Sequence, residues 1–446
     1  MVYNVLEYGA KADGVTNDAR AVQAAIDKCN AAGGGTVLVP AGHTVMCGSF
    51  ELRSHVNLHV EGGAVLLGAT EERDYPLFAF TTGAEAGKRL WIGGAHAENV
   101  SITGTGIIDG NALAFVTEKT NEGYKTLRWR PAMTCFEDIK SMRIRDVTLR
   151  NSANWALHFS GCEDIVVEGI TILNDLRFPN CDGIDPDHCR NVRISNCHIE
   201  AGDDCIVLKN TEPFAEYGVC ENITVSNCTL VSTSSAVKIG SESVDDFRNI
   251  VVKGCVITGS NRGLCIQLRD AGNVENVLFS DCIVQTRLFG GMWWGAGEPI
   301  YVTAYPRHSG GKSGFIRNVR FSNIMAEGEN GVYVMGATPE HIRDIVFDRV
   351  SLKIRRVTGH AAGRYDPRPC PPGFGPAGAV PLGESTPWGQ AVSCRNAGYY
   401  IENASNVALH DCRLEWAAGL REEYGDDIEC RNVSGFNNQR FSVKQV

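Results

Sequence analysis

From about residue 98 onward, apolar and polar residues alternate in short runs, and each run opens in the same way. A polar residue is followed by Asn or Asp, then apolar, any, apolar. The copies read Glu98-Asn99-Val100-Ser101-Ile102, Glu163-Asp164-Ile165-Val166-Val167, Arg190-Asn191-Val192-Arg193-Ile194 and Glu221-Asn222-Ile223-Thr224-Val225. Shorter copies start at Arg248, Glu275, Arg317 and Arg343, and a weaker one at Ser405. The period within each run is 2, the mark of a strand with one buried face; the 3.6 period of a helix is absent. The second motif residue falls at 164, 191, 222, 249, 276, 318 and 344, at intervals of 27, 31, 27, 27, 42 and 26. Short strands on a repeat of about 20–30 residues predict a coiled solenoid, whereas a propeller blade needs about 40–45. The expected fold is all-β, a single-stranded parallel β-helix forming one domain over 1–446, and the interval of 42 marks an inserted loop.

The ends and interruptions read differently. Residues 1–60 form a cap: after an N-cap at Asn17-Asp18, the pattern predicts a helix from Ala19 to Ala32 with Val22, Ala25, Ile26 and Cys29 on one face. Gly33-Gly34-Gly35 ends it. Asp109, in Gly106-Ile107-Ile108-Asp109-Gly110, is expected to close a tight turn. The repeat is broken over 110–135, with Tyr124, Arg128, Trp129 and Arg130, and over 286–315, with Arg287, Trp293, Trp294, Glu298, Tyr301, Tyr305 and Arg307. A third interruption, 358–398, is rich in Pro and Gly and is expected to be a long loop, since repeat-like sequence resumes at Asn406. Loops inserted into a solenoid tend to share one face and build its binding site.

Composition narrows the partners. The net charge is −10 and the pI about 5.6. No basic patch emerges, which argues against nucleic acid, and the charge does not attract a long polyanion. No run of about 18 apolar residues is present, so no membrane span is expected. The 17 cysteines are odd in number and lack a regular CxxC spacing, so neither a disulfide framework nor a zinc site is expected. Cys197, Cys228, Cys255 and Cys282 each lie six residues after Asn191, Asn222, Asn249 and Asn276, the spacing of a ladder of buried thiols. Unpaired thiols suit a reducing compartment. With no charged-then-apolar leader at Met1-Val2-Tyr3, the expectation is a cytoplasmic protein; a leader removed upstream would make it secreted.

The chemistry concentrates between Asn180 and Asn210. Asp182 lies in Asn180-Cys181-Asp182-Gly183, and Asp203 and Asp204 in Gly202-Asp203-Asp204-Cys205, 21 and 22 positions on. That step is about one turn of the solenoid, so the acids should stack on neighbouring rungs about 4.7–4.9 Å apart. Adjacent carboxylates repel, and crowding raises the pKa of one of them, which then stays protonated to serve as an acid. A calcium site or turn capping is the plainer alternative. Polar groups collect on the following rungs: Ser234, Ser235 and Lys238, then Arg262, Gln267 and Arg269.

Those acidic motifs and the step between them resemble glycoside hydrolase family 28, the polygalacturonase family, over nearly the whole chain. The resemblance implies a right-handed, pectin-lyase-like β-helix and inverting hydrolysis, with Asp203 as general acid and Asp182 and Asp204 activating water. It also implies no metal or other cofactor. An inverting pair is expected to stand about 6.5–9.5 Å apart. Two departures from the family pattern are visible. Its Gly-His-Gly is Ser234-Ser235-Ala236 here, and its Arg-Ile-Lys is Cys265-Ile266-Gln267. The basic residues of those family motifs grip a uronate carboxylate. In this chain Asn180, Ser235, Lys238, Arg262, Gln267, Arg269, Trp293, Trp294, Glu298 and Arg307 are the candidate substrate-binding residues. The expected partner is an oligosaccharide entered from one end, pectin-type or neutral, such as a rhamnoside. A lyase and a non-catalytic carbohydrate-binding β-helix are the competing classes.

Overall fold

The computed structural model describes residues 1–76, 78, 89–383, 386–420 and 423–445. The chain folds as two compact units, Met1–Asp203 with Glu216–Gly218, and Asp204–Ala215 with Val219–Val446. Both are built from parallel β coils, and the fold is a right-handed parallel β-helix.

The coil geometry follows from the repeated Asn or Asp. Asn99, Asp164, Asn191, Asn222, Asn249, Asn276, Asn318, Asp344 and Asn406 all have φ between 53° and 59°. That left-handed conformation is costly for most L-residues but accessible to Asn and Asp, whose short side chains bond locally. In the second unit the same residues form a hydrogen-bonded ladder. Asn249 Nδ2 donates to Asn222 Oδ1 at 3.1 Å, Asn276 to Asn249 at 3.2 Å and Asn318 to Asn276 at 2.6 Å. One coil of the first unit escapes the sequence pattern. Lys140–Arg145 carries Ser141 at the turn position (φ 63°), and its Met142 lies in register between Val100 and Ile165.

Apolar positions of each coil point inward and stack on their counterparts. In the second unit Phe279, Phe321 and Phe347 stack face to face, with centroids 4.9 and 5.2 Å apart. The thiols at 197, 228, 255 and 282 are buried, each donating to the carbonyl two residues earlier at 3.2–3.5 Å. None of the 17 cysteines is in a disulfide.

The N-terminal helix spans Ala19–Ala31 and buries Ala21, Val22, Ala25, Ile26 and Cys29. Its cap differs from the expectation. Asn17 Oδ1 accepts from Ala19 N at 3.1 Å, while the Asp18 carboxylate turns back to accept from Lys11 N and Ala12 N, both at 2.8 Å. Asp109 closes its turn, accepting from Asn111 N at 2.9 Å and from Arg150 Nε at 2.6 Å. Among the described residues no helix is long and apolar enough to cross a membrane.

The interruptions are structured. Residues 110–135 contain a hairpin, Val116–Lys119 with Tyr124–Thr126. The segment 358–398, of which 384–385 lie outside the described residues, carries a small antiparallel sheet of Arg364–Tyr365, Val392–Ser393 and Val380–Pro381. This strap lies on the outer face of the second unit's coils. Register there aligns Lys238, Cys265, Tyr301, Tyr333 and Tyr400 on successive strands. From Cys265 onward those side chains pack with Tyr365, Cys370 and Val392 of the strap in one apolar cluster.

Candidate active site

In the first unit, Asp182 sits just before the strand Ile184–Asp187. The turn that carries it is pinned from several sides. Asn180 is left-handed (φ 56°), and its Oδ1 accepts from Arg130 Nη2 at 2.7 Å. Arg130 also donates to the carbonyls of Ala153, at 2.5 Å, and Pro179, at 3.1 Å. The carbonyl of Asp182 accepts from Ala156 N at 2.9 Å. Cys181 Sγ accepts from Gly202 N at 3.1 Å and so ties this turn to the one that bears Asp203. Gly202 is required by close approach: a Cβ there would lie 2.1 Å from the Phe178 carbonyl oxygen. The outcome is two carboxylates, Asp182 buried and Asp203 half-buried, with oxygens within 4.8 Å of each other. On the neighbouring strand, fully buried, His158 Nε2 lies 3.2 Å from Asp187 Oδ2 and 3.1 Å from Ser160 Oγ.

Asp204 follows Asp203 in the chain and opens the second unit. Both of its oxygens are held. Ser235 N donates to Oδ1 at 2.9 Å and Lys238 Nζ to Oδ2 at 2.8 Å. Burial alone would raise this carboxyl, but Lys238 and Lys209 outweigh it and hold Asp204 below the usual carboxylate range. Burial likewise opposes the charge on Lys238, and Asp204 reverses the effect, raising its pKa. Lys209 turns to Glu242 at 3.5 Å, while Arg307 forks onto Asp270 at 3.0 and 2.8 Å.

The other candidate substrate-binding residues sit under the strap. Arg262 Nη2 donates to the Asp366 carbonyl at 2.5 Å, Gln267 Nε2 to that of Arg368 at 2.5 Å, and Arg269 to those of Pro367 and Pro369 at 3.0 and 2.7 Å. Arg262 and Arg269 also lie over the Tyr301 and Tyr305 rings, each 3.8 Å from the centroid. Glu298 is buried against Arg262 at 3.3 Å. The expectation that Arg262, Gln267, Arg269 and Glu298 face a sugar is therefore not met; all four are buried, and the three donors grip four consecutive backbone carbonyls. Trp293 is buried as well. Trp294 is half-exposed and lies 6.4 Å from Trp388, which is 50% exposed. Sequence reasoning missed Arg130 as a support for the Asn180–Asp182 turn, and it missed Trp388. Arg130 carried a signal, as a cation in the 110–135 interruption; Trp388, in a Pro- and Gly-rich stretch, carried none.

A parallel β-helix with paired aspartates at a turn is the framework of a polysaccharide-active enzyme. Residues 29–354 match the family described as Glycosyl hydrolases family 28, and the chain belongs to that family. It is a glycoside hydrolase of the polygalacturonase-like kind. It is 29% identical over 381 residues to a probable polygalacturonase of Vitis vinifera, covering 81% of this chain and 74% of that protein. It is 27% identical over 252 residues to an exo-poly-alpha-D-galacturonosidase of Dickeya chrysanthemi, covering 46% of this chain and 41% of that one. Among solved structures it resembles a hyperthermoactive exopolygalacturonase from Thermotoga maritima, with TM-score 0.67 and 24% identity over 79% of this chain and 87% of that one.

Proposed function

We propose that the protein removes the terminal sugar from a pectin-type oligosaccharide with inversion. Asp203 would be the general acid, and Asp182 and Asp204 would activate the water. The observation that carries the exo reading is the strap. A polymer's middle needs an open face along successive coils, and in the second unit that face is filled from Cys265 onward by Tyr365, Cys370 and Val392. A chain end would approach Asp204 ahead of that filled stretch, two strands before the one that carries Cys265. The exo-acting name of the Dickeya relative points the same way. Trp294 and Trp388 offer ring faces for a sugar, while Arg307 is forked onto Asp270.

The sugar is a galacturonide in this reading, because the chain's relatives are named for galacturonan. A neutral terminal sugar such as rhamnose is favoured by one observation: of the three cations on the candidate rungs, Arg262 and Arg269 already hold backbone carbonyls. Digestion of polygalacturonate and of rhamnose-capped pectic oligosaccharides, with products separated by size, tests both. Monosaccharide released from the first time point, with viscosity nearly constant, is expected. A steep early fall in viscosity would overturn the exo assignment. Oxygens of Asp182 and Asp203 lie within 4.8 Å of each other, and the stereochemical outcome needs its own test. NMR of the first product's anomeric proton decides, with inversion expected.

A further inference from the structure

We propose that Lys238 is a positioning residue for this reaction: its buried ammonium clamps Asp204 as an oriented carboxylate. The inference rests on the functional reading above. Lys238 stands on the strand Ser235–Ser243, and the same strand supplies both contacts to Asp204, Ser235 N at one oxygen and Lys238 Nζ at the other. Two restraints, one at each oxygen, hold the carboxyl in place. The side chains are 2% exposed for Asp204 and 8% for Lys238, so little solvent competes for either.

The other charged groups nearby are spoken for. On Asp204's own strand, Lys209 pairs with Glu242. Glu242 also faces Arg307 at 3.6 Å, and Arg307 is itself forked onto Asp270. On the next strand the register neighbour of Lys238 is Cys265, an uncharged thiol pushed up by burial. Lys238 is thus a cation bonded to Asp204, and Lys209 adds to the field that keeps that carboxyl ionised. A buried ammonium without a counter-charge would shed its proton, and a buried carboxylate without a cation would take one up. Each keeps the other ionised. An ionised Asp204 is what water activation needs, and it must persist to low pH for the acid next to it in sequence, Asp203, to remain protonated while Asp204 is not.

A substrate-gripping lysine would act differently. It would set KM, whereas a positioning lysine sets kcat and the acidic limb of the pH profile. The test uses the full chain with Lys238→Met, Lys238→Gln and Lys238→Arg, assayed on a size-defined oligogalacturonide from pH 3 to 8. The expected result for Lys238→Met is a fall in kcat of about 100-fold or more, with KM within about threefold. Its acidic limb should move up by about one pH unit or more, and Lys238→Arg should recover part of both. A rise in KM alone, or an unmoved acidic limb, overturns the proposal. A second readout does not depend on turnover: carboxyl NMR of the Asp204 side chain in wild type and Lys238→Gln. The midpoint should rise in the variant, and an unchanged midpoint overturns the proposal even if Lys238→Met fails to fold. If wild type cleaves no pectic oligosaccharide while the midpoint still rises, the functional reading fails and the clamp stands.

Discussion

Asp203 and Gly202 are adjacent and fail in opposite ways. Asp203 is half-buried, so under the proposed mechanism Asp203→Asn removes the proton donor and little packing. Turnover should fall by about 100- to 10,000-fold, the usual worth of general acid catalysis, with the thermal midpoint within about 2 °C of wild type. Near-normal turnover in that variant would remove Asp203 from the acid role. Gly202→Ala does the reverse. Its Cβ would meet the Phe178 carbonyl oxygen at 2.1 Å, so the backbone must shift and the Gly202 N to Cys181 Sγ bond with it. Destabilisation of about 1–3 kcal/mol is expected, read by chemical denaturation. At this scale the sequence displayed the acids, because carboxylates in Asn-x-Asp and Gly-Asp-Asp at one coil's spacing have few other uses. It did not display their restraints. Arg130, Cys181 and Ser235 act through carbonyls, a thiol and a backbone N–H, and a residue letter does not announce which of its atoms is used.

Coils and strap were legible to very different degrees. Each coil announces itself because its turn needs a left-handed residue, and Asn or Asp supplies it. Lys140–Arg145 escaped because Ser141 fills that place. Asn249 tests the device. Asn249→Ala forces a Cβ residue into the left-handed region and deletes the bonds to Asn222 and Asn276. A loss of about 1–3 kcal/mol follows, and Asn249→Gly, which keeps the backbone but not the ladder, should lose less. Equal losses in unfolding titrations would deny the backbone a role. The strap, in contrast, was readable only as Pro- and Gly-rich loop. What fixes it is a row of carbonyls, 366 to 369, and any sequence has those. Arg269→Met removes the donors to Pro367 and Pro369 and leaves a buried stem. Limited proteolysis should then cut within 358–398 at least about tenfold faster than in wild type, since local opening governs cleavage. Resistance equal to wild type would mean that the apolar cluster alone holds the strap.

For the molecule as a whole, the buried charges of the second unit decide how it meets acid. The period-2 pattern foretold a solenoid with an apolar interior, and such an interior has no pH dependence of its own. The carboxylates outside it do. Asp366 is buried; burial raises its pKa, but Arg368 at 2.6 Å and Arg262 outweigh that and hold it at about 2. Glu242, half-buried and crowded by Lys209, Arg307 and Lys238, is held well below its ordinary value, and Asp204 is held low as described. A carboxyl whose folded pKa lies below its unfolded one binds fewer protons folded than unfolded, so stability rises with pH across that window. The contribution is complete above the unfolded value near 4 and is lost as pH falls toward 2. For Asp366 alone this amounts to about 2 kcal/mol. Glu298 runs the other way: burial raises its pKa more than Arg262 lowers it, so its term favours folding at low pH and weakens as pH rises. The depressed carboxyls, to which buried Glu329 adds another, outweigh the raised one and leave a net acid sensitivity. The thermal midpoint should therefore be nearly flat between pH 5 and 7 and fall steeply from pH 4 to 2. Asp366→Asn should lower the plateau and flatten part of the acid limb, because the neutral side chain has no proton left to take up. Midpoints measured for both proteins in matched ionic strength check this. An acid limb in Asp366→Asn as steep as in wild type would locate the sensitivity elsewhere, with Glu242 and Asp204 the next to be substituted.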